Sequence, residues 1–111
     1  MPSVLTFNAE NWNRQVLQSV RPVLVDFRAP WCMASVLQDK SLSEASEEFR
    51  EAMKVGVLDV SSYTNEAVAY RIHVLPTLGL FDKGKHLKSY TGARRMEELK
   101  ARWLPSLQKK L

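Results

Sequence analysis

The 111-residue sequence predicts an α/β fold: a mixed five-stranded sheet, element order βαβαβαββα, with helices on both faces. Three observations carry that expectation. The run VLVDF, residues 23–27, is apolar except for Asp26, the pattern of a central strand buried on both faces. The early strand-like runs alternate with segments whose apolar residues recur at helical spacing, which implies parallel pairing through right-handed crossovers. The last two strand-like runs are joined by Asp82-Lys83-Gly84-Lys85, a hairpin turn with glycine where positive φ is useful, so they pair antiparallel.

Taken in order, residues 4–7 read as a short first strand. Asn8 caps a helix running to about Val20, with Trp12, Val16 and Leu17 on one face, and Arg21-Pro22 breaks it. Residues 23–27 form the second strand, followed by a turn at Ala29-Pro30. A long helical pattern runs from Met33 to Met53, with Leu37, Leu42, Ala45, Phe49 and Met53 as core positions. Residues 54–60 form a third buried strand and residues 65–71 a short helix. Residues 76–81 and 86–91 supply the fourth and fifth strands. An amphipathic helix from Arg94 to about Leu104 closes the chain, with Met96, Leu99 and Trp103 inward and Pro105 ending it.

No internal repeat, low-complexity segment or linker divides the chain, so residues 1–111 are read as one domain. The composition, 45% hydrophobic and 25% charged, is that of a soluble globular protein. No apolar run reaches the roughly 18 residues of a membrane span. The opening MPSVLTFNAENW has neither a basic start nor an apolar core, so no secretory signal is expected. One cysteine permits no internal disulfide, which fits a reducing, cytoplasmic location.

The net charge is +4, with a pI of about 9.4. Basic residues concentrate from Lys83 onward against only Glu97 and Glu98, while residues 39–66 lean acidic. One face is therefore read as attractive to an acidic protein partner, against the commoner case of a solvated helix face and charged tail. The density of Lys and Arg and the aromatic spacing do not match a nucleic-acid module.

The stretch that carries chemistry is RAPWCMAS, residues 28–35. Cys32 falls at the end of a buried strand and the first turn of the long helix. The unpaired N–H groups and dipole of a helix start stabilise a thiolate, the nucleophilic form of cysteine. A core cysteine would sit within an apolar face. This one sits on a Pro-Trp-Cys turn at a strand's C-terminal end, where open sheets place their sites. Asp26 is a carboxylate within an apolar strand, and burial raises the pKa of such a group. His73 and His86 are far apart and joined by no second cysteine or clustered carboxylate, so neither a metal nor another cofactor is expected.

Together VDF-x-A-x-WC, the proline in VLPT, the FDKGK hairpin and the YTGA turn resemble the thioredoxin family in order and spacing, over nearly the whole chain. In two-thiol members of that family the first cysteine attacks a target disulfide, and the second then resolves the mixed disulfide. Ser35 stands where the second thiol would be. A serine cannot form a disulfide, although its hydroxyl can donate a hydrogen bond to a thiolate. The resemblance therefore implies a monothiol route. On that route Cys32 is expected to form a mixed disulfide by exchange with a protein disulfide or with glutathione disulfide, which an outside thiol must resolve. Protein thiols or disulfides, glutathione and a thioredoxin-reductase-like electron donor are the expected partners.

The resemblance gives Asp26 a proton-transfer role toward the second cysteine, weakened here by Ser35. It places a lysine near that carboxylate on the next strand. Val57 occupies the position, so Asp26 is expected to lack a cationic partner. It also implies a cis Leu75-Pro76 peptide against Cys32, beside which an extended target adds as a strand. Trp31, Met33, Leu75, Pro76, Gly92 and Ala93 are then expected to form an apolar, substrate-binding collar. Lys40 stands where the family often has a kinking proline, so the long helix is expected to run straighter. A monothiol glutaredoxin with an iron–sulfur cluster fits poorly, because WCMAS lacks its glycine-phenylalanine pair.

Three functional readings stay open on these residues. One is a monothiol oxidoreductase of cell redox homeostasis. The second is a redox-inactive module that binds a partner. The third is a dithiol thioredoxin carrying an engineered Cys→Ser trap at Ser35. The chain is expected to be monomeric, with a Cys32-linked dimer under oxidising conditions.

Overall fold

The computed structural model describes residues 4–62, 65, 69–95, 97–98 and 101, leaving aside the side chain of Ser35. Five strands, β1 (Val4–Phe7), β2 (Val23–Arg28), β3 (Lys54–Asp59), β4 (Thr77–Asp82) and β5 (Lys85–Thr91), form one sheet in the order β1-β3-β2-β4-β5. β3 runs parallel to β1 and β2, while β4 is antiparallel to β2 and to β5. This is the expected mixed sheet. β4 begins at Thr77 because Pro76 has no N–H to give a ladder.

β2 is the centre of the sheet, and its alternation distributes the core. Val23, Val25 and Phe27 pack on one face with Phe7, Trp12, Val16, Leu58 and Phe81. Leu24 points to the other face, against Leu42, Ala45 and Phe49 of the long helix region, with Met53, Val55, Leu78 and Leu80. Helical segments therefore cover both faces. Asp26 and Arg28 share the parity of Leu24 and so face the long helix.

The first helix is shorter than its sequence suggests. Asn8 and Asn11 each accept the other's backbone N–H at 2.8 Å and so close the turn that leads into the helix, but the N-cap itself is Trp12, with no side-chain cap bond. A π-helical turn (Asn13–Leu17) follows, and Gln18 N–H returns to Asn13 O at 2.9 Å. The helix stops there, before Arg21-Pro22. The Ser19 hydroxyl donates to Arg21 O at 2.7 Å and accepts from Arg21 N–H, building a turn in place of another helical one. Val20 is left exposed.

The long helix, α1 (Met33–Glu48), is uninterrupted past Lys40, but ends before Met53. Phe49 N–H still reaches Ala45 O at 2.9 Å, and Ala52 and Met53 then turn back to Phe49 O at 2.8 Å. Its buried stripe is Gln38, Ser41, Leu42, Ala45, Ser46 and Phe49. Leu37, expected in the core, is 76% exposed instead. The i, i+3, i+4 spacing holds, but it starts one residue later and includes three polar side chains. The expected helix over residues 65–71 and the closing helix over 94–104 fall largely outside the described residues, as do the inward positions Met96, Leu99 and Trp103.

The β4–β5 turn has Lys83 at φ 52° and Gly84 at φ 81°, the two positive values of a two-residue hairpin loop. A Cβ on Gly84 would also lie 2.9 Å from Leu17 O. Gly84→Ala is therefore expected to lower unfolding free energy by about 1–2 kcal/mol. Urea denaturation checks this, and an unchanged midpoint would show that the turn relaxes without strain. Among the described residues no helix is long and apolar enough to cross a membrane.

Candidate functional site

The site is built at the C-terminal end of β2. Arg28 closes the strand, and Cys32 N–H donates to Ala29 O at 3.1 Å, tightening the turn. Cys32 is the N-cap residue of α1, in extended conformation at φ −89°, ψ 106°, and is half-buried. The first-turn amides of α1 therefore open beside it, and that turn contains no acidic residue. Ser35 belongs to the same first turn.

Thr77 pairs with Phe27 across the sheet, so the segment before β4 lies beside the same end of β2. The Leu75-Pro76 peptide there is cis. Gly92, at φ 84°, donates its N–H to Pro76 O at 2.7 Å, which brings Gly92 and Ala93 to this end as well. The expected collar is uneven. Trp31 and Met33 are 72% and 78% exposed, Leu75, Gly92 and Ala93 are half-buried, and Pro76 is buried.

Val36, Leu37 and Val74 are also exposed, Leu37 against the expectation that it lies in the core. Met33, Val36 and Leu37 share the spacing of a core-facing stripe. Only the polar stripe beginning at Gln38 shows that they face outward.

Asp26 is 0% exposed, opposite Val57 on β3 and Leu78 on β4. The expectation that it lacks a cationic partner is overturned. Arg28 Nε donates to Asp26 Oδ2 at 2.7 Å, Arg28 Nη2 donates to the same oxygen, and Nη2 also pairs with Asp39 Oδ1 of α1 at 2.6 Å. The signal was available as Asp-x-Arg, two residues of one strand that share a face. Asp26 Oδ1 is buried without a hydrogen-bond partner among the described residues. Burial pushes the Asp26 carboxyl up to about 6, against the downward pull of the Arg28 charge and hydrogen bond, with Asp39 adding a smaller rise. Burial opposes the charge of Arg28, but its two carboxylates outweigh that and raise its pKa.

Gln38 is a second residue whose place the sequence did not reveal. Its Nε2 donates to Arg94 O at 2.8 Å, and its Oε1 accepts Arg94 N–H at 2.7 Å. These bonds tie α1 to the chain just after Gly92-Ala93. The Arg94 guanidinium lies 4.1 Å from the centre of the Tyr90 ring. Arg94 and Arg95 both pair with Glu98, so part of the basic C-terminal charge is met internally. His86 stacks on Phe81 at 4.9 Å and bonds Ser89 Oγ at 2.6 Å; burial lowers its pKa. Among the described residues no three His, Cys, Asp or Glu side chains gather in a way that could hold a metal.

The family model for thioredoxin matches residues 3–104. The thioredoxin of Buchnera aphidicola is 35% identical over 100 residues, covering 90% of this chain and 93% of that protein. Thioredoxin C-2 of Corynebacterium nephridii is 33% identical over 99 residues, 89% of this chain and 92% of that one. Thioredoxin Y2, a chloroplastic protein of Arabidopsis thaliana, is 37% identical over 105 residues, 95% of this chain and 62% of that longer protein. The chain belongs to the thioredoxin family of redox proteins.

Proposed function

We propose that this chain exchanges thiols and disulfides with protein substrates through Cys32 alone, as a single-domain monomer in a reducing compartment. The observation that supports this best is the placement of Cys32, at the amide end of α1 with exposed Trp31 and Met33 on either side. The Cys32 thiolate attacks one sulfur of a substrate disulfide. A bond forms from Sγ to that sulfur, and the other sulfur leaves as a thiolate that takes a proton. Ser35 cannot carry out the second displacement. An outside thiol such as glutathione attacks the mixed disulfide, restores Cys32 and leaves with the substrate sulfur. Leu75, Pro76, Gly92 and Ala93 line the edge where an extended substrate would lie.

The test is mass spectrometry after incubation with oxidised glutathione, beside an insulin-reduction assay. The expected result is a stable glutathione adduct on the wild type, none on Cys32→Ala, and weak insulin turnover that Ser35→Cys raises. Strong turnover by the wild type without added thiol would refute the monothiol route. A wild type that forms no mixed disulfide would favour the second reading, a partner-binding module, which the exposed Val36, Leu37 and Val74 support.

A further inference from the structure

We propose that Arg28 is the positioning residue of the Cys32 site, holding the first turns of α1 against the central strand by bonding Asp26 and Asp39 at once. The inference rests on Cys32 being the nucleophile and adds what sets its surroundings. Three facts combine. Arg28 closes β2 four residues before Cys32, so its backbone anchors the turn that delivers the thiol. Its guanidinium donates twice to Asp26, a carboxylate fixed in the middle of the sheet. The same Nη2 reaches Asp39, in the second turn of α1.

The three groups run from the sheet interior to the helix. The neighbouring strands present only Val57 and Leu78 opposite Asp26, while Asp59, the register partner of Arg28 on β3, has its Oδ1 engaged by the Ser61 N–H and hydroxyl. An arginine suits this place because its planar fork meets two carboxylates with fixed geometry; a lysine has no such fork. The rest of the inner face of α1 near the site is held by the Gln38–Arg94 bonds. Asp39, one residue later, fixes the helix from the β2 side. Cys32 reactivity depends on the amides of the first turn, and those amides lie one turn before the point at which the helix is held.

The charge of Asp39 and its positioning role predict opposite outcomes. Asp39→Asn removes a negative charge, which by electrostatics alone favours the thiolate and speeds alkylation of Cys32. If Asp39 and Arg28 act by position, the helix start loosens and alkylation slows. The experiment is the pH profile of iodoacetamide alkylation for the wild type, Asp39→Asn, Asp39→Glu and Arg28→Lys, each with circular dichroism as a folding check.

Expected is a roughly two- to fivefold slower rate at pH 7 for Asp39→Asn and Arg28→Lys, with the profile moved to higher pH. Asp39→Glu restores most of the rate. A rate equal to or above the wild type in either Asp39→Asn or a folded Arg28→Lys overturns the inference. Arg28→Lys disturbs a buried pair; if it does not fold, Asp39→Asn decides alone, since Asp39 is largely exposed. A wild-type thiol no faster than free cysteine refutes the activated nucleophile itself and the inference with it.

Discussion

Trp12→Ala is expected to lower the unfolding free energy by about 3–5 kcal/mol, the range for emptying a large aromatic site in a packed core. Trp12 is 5% exposed and is the hub of an aromatic cluster. Its ring lies 6.0 Å from Phe7 and 5.5 Å from Phe81, both edge-on, and 5.7 Å and 6.1 Å from Tyr70 and Phe27. Its Nε1 donates to the Tyr70 hydroxyl at 3.4 Å. Rings on several elements cannot all move into the space a tryptophan leaves, so the cavity persists. Against a typical total of about 5–15 kcal/mol, that is a large share. The cluster lies on the sheet face opposite α1. Fully folded Trp12→Ala is therefore expected to alkylate at Cys32 with the wild-type rate. Urea unfolding followed by circular dichroism measures the loss. A change under 1 kcal/mol would mean that the first helix is not held to the sheet through this ring.

What could be read from the chain follows from what each signal reports. Strands β2 and β4 were legible because each is an apolar run with a clear stop, and Val23, Val25 and Phe27 behave as such a run should, whereas the polar, mostly exposed β5 was legible only through the turn before it. The hairpin was legible because Lys83-Gly84 needs two positive φ values. The face of α1 was not legible. Hydrophobicity places Leu37 inward, yet Leu37 is exposed, and Gln38, Ser41 and Ser46 are buried beside Leu42, Ala45 and Phe49. Gln38 belongs inside because its amide completes the backbone bonds of Arg94, a partner 56 residues away. No local pattern announces that contact. The π turn was hidden for a similar reason: its end is set by the Ser19 hydroxyl and not by hydrophobic spacing.

The partner of Asp26 shows a different limit. Val57 stands across the sheet where the family resemblance places a lysine, and an apolar residue there implies a lone buried charge. The same strand supplied the cation two residues on. Parity within β2 makes this contact geometrically natural, but parity alone does not say that the Arg28 side chain turns back along the strand. Nor does it say that the guanidinium also reaches α1. The position of the nucleophile was legible in Cys32 and its turn. The groups that hold its surroundings were not, because polar contacts leave little trace in a hydrophobic pattern.

Asp26→Asn is expected to stabilise the protein at pH 8 by about 3 kcal/mol more than it does near pH 3.5. The folded carboxyl is raised from 3.8 to about 6, and each unit corresponds to 1.36 kcal/mol. Between those two values the folded state binds the proton and the unfolded state releases it, so stability falls as pH rises. The contribution is whole below about pH 4 and is lost as pH passes through 6. Asparagine matches the shape of the protonated acid and carries no charge at any pH, so the variant lacks that loss. Arg28 weakens the effect by favouring the carboxylate but does not reverse it, because burial is the larger influence. In the variant Arg28 keeps its pair with Asp39. Urea unfolding of both proteins at pH 4, 6 and 8 gives the difference directly. A constant difference across that range would mean that Arg28 fully offsets the burial of Asp26. The buried carboxylate would then be ionised above about pH 5, paired with Arg28, and would supply no proton to thiol exchange near neutral pH.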